Sequence, residues 1–464
     1  MITIKNYTFD YYRYLFVTSS IVLFGILLKT FDKRPYIIIE TALLLFGLLF
    51  SIIYMMENKA RLTNNSKFFI LFILYLFIYN FSIVFLRPFE VDISVFDSLL
   101  FGIQEFRLST VGYFLPLLFF PLALYERDKI IEKFVLLSKI AIAYTLFEQF
   151  FSLSGYRTFF ESLYFNSGVV TSNQIGVKSF GVYRIWGLIG SPQILGIFHI
   201  MTLALMLHSK QKLWAYLSLL CIFLSTSKTA ILVLILLVFL YLIVTRRYLL
   251  FFLASTMITL LAFWLYSLNE YLVSSLSNDY LYVQKFVGSI QGYFILITNT
   301  LDYQPGVNGG DGSVHINQAG PLMRVYTYFS TNPLEIFFGK GITYSFLHSN
   351  QLAETAFGAP DIKSADQFYM GLSSDFYILT YFEQYGIFGT LALSLIYFIY
   401  PVILLFKKHS YILYIPITFY LATFHYPPQI SKIIMLFLGL SVWLIYFQKN
   451  NNKSEINPNS VPMK

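Results

Sequence analysis

The feature that most constrains this chain is a repeated one: unbroken apolar runs of about 16–22 residues, separated by polar segments. Barrel strands would be short and alternating, whereas a run of this length matches the roughly 20 apolar residues with which a helix crosses about 30 Å of hydrocarbon. Twelve such windows begin near residues 14, 36, 67, 109, 130, 191, 212, 229, 248, 375, 411 and 430. Composition agrees, because 57% of the 464 residues are hydrophobic and 12% are charged, whereas soluble domains carry about 25% charged residues. The expectation is an all-α polytopic membrane protein with about 12 transmembrane helices. A β-barrel and a string of soluble domains are both excluded.

The formal net charge of +8 invites a nucleic-acid reading, but the basic residues stand singly between apolar runs. That is the pattern of a topology signal and not of a basic stripe. With a cytoplasmic N-terminus, the inner segments hold seventeen Lys and Arg, from Lys5 and Arg13 to Lys449, Lys453 and Lys464, against ten in the short outer loops. Both termini are then expected inside. The first run follows Lys5 and Arg13 as a signal peptide would. It ends in Lys29-Thr-Phe-Asp-Lys-Arg-Pro35 without a small-residue cleavage site and is expected to stay attached. The one cysteine, Cys221, sits in an apolar run, so no disulfide framework is expected.

This threading divides the chain into three regions: residues 1–268 with helices 1–9, residues 269–374 as a large extracytoplasmic loop, and residues 375–464 with helices 10–12 and a cytoplasmic tail. Within the loop, Gln304-Pro-Gly-Val-Asn-Gly-Gly-Asp-Gly312 is a turn cluster and Leu322–Phe329 reads as a short helix. A second outer segment, about 154–190, is too long for a plain turn. Ile93, Phe96, Leu100, Ile103 and Phe106 recur at helical spacing opposite Asp97, Gln104 and Glu105, as an interfacial helix would.

Three cations at the outer rim are the first site candidates: Arg184 before the sixth span, Lys228 between the seventh and eighth, and Arg324 in the large loop. A cation at membrane depth is costly unless paired or hydrated, so each reads either as a functional residue or as one snorkelling to a phosphate or carboxylate. The six His are dispersed, so no metal site is expected; His315 and His348 read as loop residues and His425 as a span-end residue. Glu90-Val-Asp92 has the acidic spacing of a metal-dependent glycosyl-transfer site, or of an ordinary acidic rim. Glu40, Lys139, Glu148 and Glu383 fall within or at the ends of spans, where interhelical pairing competes with a proton path.

Four elements between about residues 180 and 395 carry a resemblance. Tyr183-Arg184 leads to Gly187, Pro192 and Gly196; Ser227-Lys228-Thr229-Ala230 follows; Arg324 precedes Phe338-Gly339-Lys340-Gly341; and Ser374-Asp375 leads into Glu383-Gln-Tyr-Gly386-Ile-Phe-Gly389. In content and order they resemble the bacterial O-antigen polymerase and O-antigen ligase superfamily. Lys228 stands where Arg is commoner. Ser374 and Asp375 stand where ligases resemble one another in having His, which favours the polymerase branch.

The resemblance implies a GT-C-like fold with its large loop between helices 9 and 10. It implies a metal-independent glycosyltransferase at the outer face of the bacterial cytoplasmic membrane, with no cofactor and no nucleic-acid partner. Donor and acceptor are oligosaccharides linked to undecaprenyl pyrophosphate, with a chain-length regulator as a further partner. Arg184, Lys228 and Arg324 are then the pyrophosphate-binding residues, since fixed cations stabilise a pyrophosphate leaving group. Asp375 is the expected acceptor base or a helix cap, with His348 the next candidate. A ligase moving finished glycan to a lipid or protein acceptor, and a flippase of the same lipid-linked glycan, are the alternatives.

The charge count predicts that residues 269–374 face outward. A Gly310→Cys substitution, made in a Cys221→Ser background, should react with an impermeant thiol reagent on intact spheroplasts. Labelling only after lysis would reverse the topology.

Overall fold

The structure is a computed structural model that describes residues 2–4, 7–58, 64–86, 111–124, 127–166, 178–179, 182–275, 335–339, 377–424, 428 and 431–447. Among these residues it is predominantly helical, and a helix begins within three residues of each of the twelve expected positions. The first is broken: α1 (Tyr11–Leu23) and α2 (Gly25–Phe31) meet at an angle of 66°. Then come α3 (Lys33–Glu57), α4 (Asn64–Leu86) and α5 (Val111–Phe114), the last continuing as a 3-10 helix over Leu115–Leu124. The middle of the chain forms α6 (Arg127–Phe151), α7 (Arg157–Asn166), α8 (Pro192–His208), α9 (Lys212–Leu224), α10 (Lys228–Val244) and α11 (Tyr248–Ser275).

After a single turn at α12 (Glu335–Phe338), α13 (Tyr377–Ser394) runs through a π-turn into α14 (Tyr400–Lys408). The last two helices are α15 (Tyr414–Thr423) and α16 (Lys432–Val442). Two small antiparallel ribbons are additions to the all-α expectation: β1 (Ile2–Ile4) with β2 (Tyr7–Phe9), and β3 (Lys178–Ser179) with β4 (Val182–Tyr183). The first is rich in β-branched and aromatic residues, which suit paired extended backbone.

Helix α3 and the segment Gln384–Lys408 are each long and apolar enough to cross a membrane, and the α1–α2 pair is a third if the bent pair is one span. Shorter apolar helices of 10–17 residues make up much of the remainder. The outer surface is apolar as well. Ile38 and Leu49 on α3 and Leu249, Phe252, Met257 and Leu260 on α11 are all exposed, a pattern that suits contact with lipid rather than water.

The centre is formed by α8 and α16. Every residue from Ile433 to Trp443 is buried, as expected of a helix that is apolar on all sides. The 3-10 segment packs against α16 and α3. Pro116 and Pro121 lie within it and supply no backbone N–H, so a regular α-ladder cannot run through the expected fourth span.

Helix α11 continues to Ser275, past the expected end at 268; of the large loop only 269–275 and 335–339 are among the described residues. The expected helices over 93–106 and 322–329 lie outside them.

Two of the tight turns put long cations in the left-handed region: Lys210 and Arg246 both have φ 58°. Each closes its turn with a backbone bond spanning five residues, Gln211 N to Met206 O at 2.9 Å and Arg247 N to Leu242 O at 2.8 Å. That closure ordinarily uses glycine, because a Cβ is penalised there. Lys210→Gly and Arg246→Gly should therefore each stabilise the fold by about 0.5–1 kcal/mol. The buried thiol of Cys221, the only cysteine in the chain, offers the assay: its reaction with a maleimide dye on heating reports unfolding. An earlier melt in both variants would contradict the turn assignment.

Candidate functional site

The loop that carries Arg184 is built around a buried carboxylate. On α6 and the first residue of the π-turn that follows it (Ser152–Tyr156), Thr145, Glu148, Gln149 and Ser152 recur at helical spacing and are all buried. Gly155 then breaks the helix at φ 96°, and α7 turns back. The reversal delivers Arg157 and Tyr164 to Glu148. One carboxylate oxygen takes the Arg157 guanidinium at 3.3 Å and the Trp186 N–H at 3.3 Å. The other accepts the Tyr164 hydroxyl at 2.5 Å and the Gly187 N–H at 2.8 Å. A buried carboxylate is tolerated when a cation and several N–H or O–H donors surround it, and Glu148 has both. Burial first, and then the Glu148 charge, hold the Tyr164 phenol well above its usual pKa, so it remains a donor.

The same cluster fixes the backbone on both sides of Arg184. Arg157 donates to the Arg184 carbonyl at 3.2 Å, and its guanidinium lies 5.2 Å from the Tyr183 ring centre. Trp186 is buried against Ile26, Phe160 and Tyr164. Gly187, at φ 59°, fits where a Cβ would meet the Leu195 side chain at 2.6 Å and the Thr145 hydroxyl at 3.2 Å. A 3-10 turn over Gly187–Ile189 and a left-handed Gly190 then lead to Ser191 and Pro192 at the start of α8. Arg184 itself is half-buried at this entrance.

Lys228 occupies the first turn of α10. The Ser227 hydroxyl caps the helix by accepting the Ala230 N–H at 3.2 Å, and Thr226 makes the turn at φ 47°. Serine suits this capping position because its short side chain reaches the free N–H groups of the first turn. The turn packs on the first turns of α8, so closely that a Cβ on Gly196 would stand 2.5 Å from that of Ala230. Arg184 and Lys228 are thereby brought to one end of the bundle, beside the N-termini of α8 and α10. Both helix dipoles add positive potential there, which favours an anion.

A polar seam runs inward from this end. Thr145 bonds the His199 ring at 3.1 Å, and the Thr202 and Ser218 hydroxyls, 2.7 Å apart, lie within donating distance of the His199 carbonyl at 2.9 and 2.8 Å. The Gln149 amide and the Ser152 hydroxyl are buried and meet no hydrogen-bond partner among the described residues. Buried polar groups are ordinarily paired, so these two mark the α6 face of the seam as suited to polar contacts.

The third and fourth sequence elements also converge. Gly339, at φ 77°, and Gly386, at φ 63°, face each other backbone to backbone. A Cβ on Gly339 would stand 2.5 Å from the Gln384 carbonyl, and one on Gly386 2.5 Å from that of Phe337. Tyr79 donates to the Gly339 carbonyl at 2.5 Å and stacks on Tyr75, while Phe337 and Phe338 rest against Phe388. The turn α12 and Gly339 are thus pinned to the broken helix α13.

Arg324, His348 and Asp375 lie outside the described residues, as do Glu90, Asp92, His315 and His425. For two span carboxylates the structure gives pairing. Glu40 bonds the Lys432 ammonium and accepts the Tyr36 hydroxyl at 2.8 Å, and Glu148 pairs with Arg157. Lys139 lies 5.6 Å from the Trp214 ring centre. Sequence reasoning missed Arg157 and Tyr164. The available signal was Gly155, where a helix break after an apolar run allows the chain to fold back on Glu148.

Comparison with family models, with curated proteins and with solved structures finds no match to this chain.

Removing the Glu148 charge would leave the buried Arg157 guanidinium with only the partly exposed Glu161, 3.4 Å away, as counter-charge. Glu148→Ala should destabilise by about 3–5 kcal/mol, read as an earlier Cys221 reaction, and Tyr164→Phe by about 1–3 kcal/mol through the carboxylate acceptor it leaves behind. Gly386→Ala should also destabilise, since the added Cβ meets backbone that cannot swing away. Melting unchanged in Glu148→Ala would show that the cluster does not hold the loop.

Proposed function

We propose that this chain crosses the bacterial cytoplasmic membrane twelve times with both termini inside, and polymerises lipid-linked oligosaccharide repeats at the outer face. The observation that carries the proposal is the convergence of Arg184 and Lys228 at one end of the bundle, beside two helix N-termini. A pyrophosphate leaving group needs that kind of site: cations and helix dipoles fixed before the reaction, where negative charge develops. Further support comes from the resemblance, because Arg184 and Lys228 belong to two of its elements and the other two meet at Gly339 and Gly386.

In the proposed reaction an acceptor sugar hydroxyl attacks the anomeric carbon of the donor glycan. The bond from that carbon to the pyrophosphate oxygen breaks, and undecaprenyl pyrophosphate departs against Arg184, Lys228 and Arg324. Arg offers a bidentate fork to phosphate oxygens, whereas Lys offers a point charge, so Lys228 supplies potential more than alignment. Asp375 takes or orients the hydroxyl proton, with His348 the next candidate. The cations perform the electrostatic work that a metal performs in other transferases.

Purified protein incubated with an undecaprenyl-pyrophosphate-linked repeat should produce a ladder of polymers, and should do so in EDTA. Arg184→Ala and Arg324→Ala should abolish the ladder while the yield of folded protein is unchanged, and Lys228→Arg should retain it. Wild-type ladders from both Ala variants would remove the cations from the chemistry. Loss of activity in EDTA with recovery on adding magnesium would direct attention to Glu90 and Asp92.

A further inference from the structure

At the end of the bundle opposite Arg184 and Lys228, a lateral groove of about 320 Å³ runs between the C-terminal halves of α8 and α10 and the start of α15. Its walls are hydrocarbon, from Ile200, Leu203 and Ala204 on one side and Leu234, Leu237 and Val238 on the other. Val238 is about half exposed at the rim, so the groove opens sideways. The floor is apolar and the mouth is not. Tyr241 and Tyr411 stack there with ring centres 6.5 Å apart, and Tyr414 stands next to Tyr411 at 6.3 Å. Tyrosines gather at the level of lipid headgroups, where a ring can be dry and its hydroxyl wet.

Charge at the mouth selects the occupant. Arg247, in the turn after α10, is exposed and close enough to Tyr411 for its charge to act on that hydroxyl. Arg246, Lys407 and Lys408 are exposed at the same end. His208 bridges from Arg127, at 3.3 Å, to the Ser410 hydroxyl, at 3.4 Å. The acidic side chains nearby, Asp128 and Glu132, line a separate pocket with His208. An apolar slot ending in hydroxyls and cations is complementary to an acyl chain ending in a phosphate, and basic pockets between membrane helices bind anionic headgroups on that chemistry.

We infer that this groove is a binding site for one anionic phospholipid of the surrounding bilayer, with an acyl chain between α8 and α10 and the phosphate at Arg247 and the tyrosine hydroxyls. The site lies at the opposite end from the proposed pyrophosphate site, so it holds a structural lipid and not the glycan donor. It requires a membrane around the chain, but not transferase activity.

Protein reconstituted in bilayer discs of equal phosphatidylglycerol and phosphatidylcholine, then released for native mass spectrometry, should retain one phosphatidylglycerol in preference. Arg247→Glu should lower that preference by more than about fivefold, because losing one basic residue near an anionic lipid is worth about fivefold and the new carboxylate adds repulsion. Val238→Trp, which fills the groove from its exposed rim, should remove the retained lipid of either kind. Melting followed at Cys221 establishes that each variant is folded, and Arg247→Gln and Val238→Phe replace a variant that is not. Equal retention of both lipids by the wild type, or an unchanged preference in folded Arg247→Glu, would overturn the site. Because the readout involves no glycan transfer, a failed polymerase assay leaves this result standing.

Discussion

A carboxylate enclosed in an apolar bundle must find its donors inside the protein, and the requirement set by Glu148 organises this end of the molecule. No ordinary packing energy would hold an unpaired charge there, since desolvation costs several kcal/mol. Four groups answer it: the Arg157 guanidinium, the Tyr164 hydroxyl and the N–H groups of Trp186 and Gly187. Two of them are backbone groups of the loop that carries Arg184, so satisfying one buried charge also fixes the approach to α8. A loop held by its own N–H groups keeps its geometry whatever its side chains contact, and that is the property an anion site needs.

Close backbone approach is the complementary device. Gly196 lets the Ser227–Lys228 turn lie on the first turns of α8, and the Gly339–Gly386 contact ties α12 to the broken helix α13. Helix α13 packs on α15, and α15 packs on α8 and α10. The two glycine junctions therefore belong to one bundle. With small residues at these crossings, helices approach closely without relying on a hydrophobic effect that weakens in lipid.

The helices were legible in the sequence because length and continuity of an apolar run suffice to call for one; the buried centre at α16 was not, since the equally apolar α10 leaves Leu232, Leu236 and Val238 exposed. Lys228 at a helix start was legible too, since Ser225, Ser227 and Thr229 surround it with capping chemistry. The partner of Glu148 was not. Arg157 looks like any rim cation until Gly155 reverses the chain, and a reversal is a property of backbone angles rather than of residue type. The glycines near 339 and 386 were visible as motifs, but nothing in a linear sequence states that the backbone at one lies against the backbone at the other. The 3-10 form of the fourth run depends on Pro116 and Pro121, whose effect is local, inside a run whose hydrophobicity alone reads as an ordinary helix. Arg324, His348 and Asp375 rest on the sequence alone.

The central claim is that Arg184 and Lys228 form one anion site. An experimental structure of the protein in bilayer discs with a polyprenyl pyrophosphate bound tests it most directly. The pyrophosphate should lie between the Arg184 guanidinium and the Lys228 ammonium, beside the N-termini of α8 and α10, with Glu148 still bonded to Trp186 and Gly187. A pyrophosphate seated elsewhere, with these two cations turned to lipid phosphates, would contradict it.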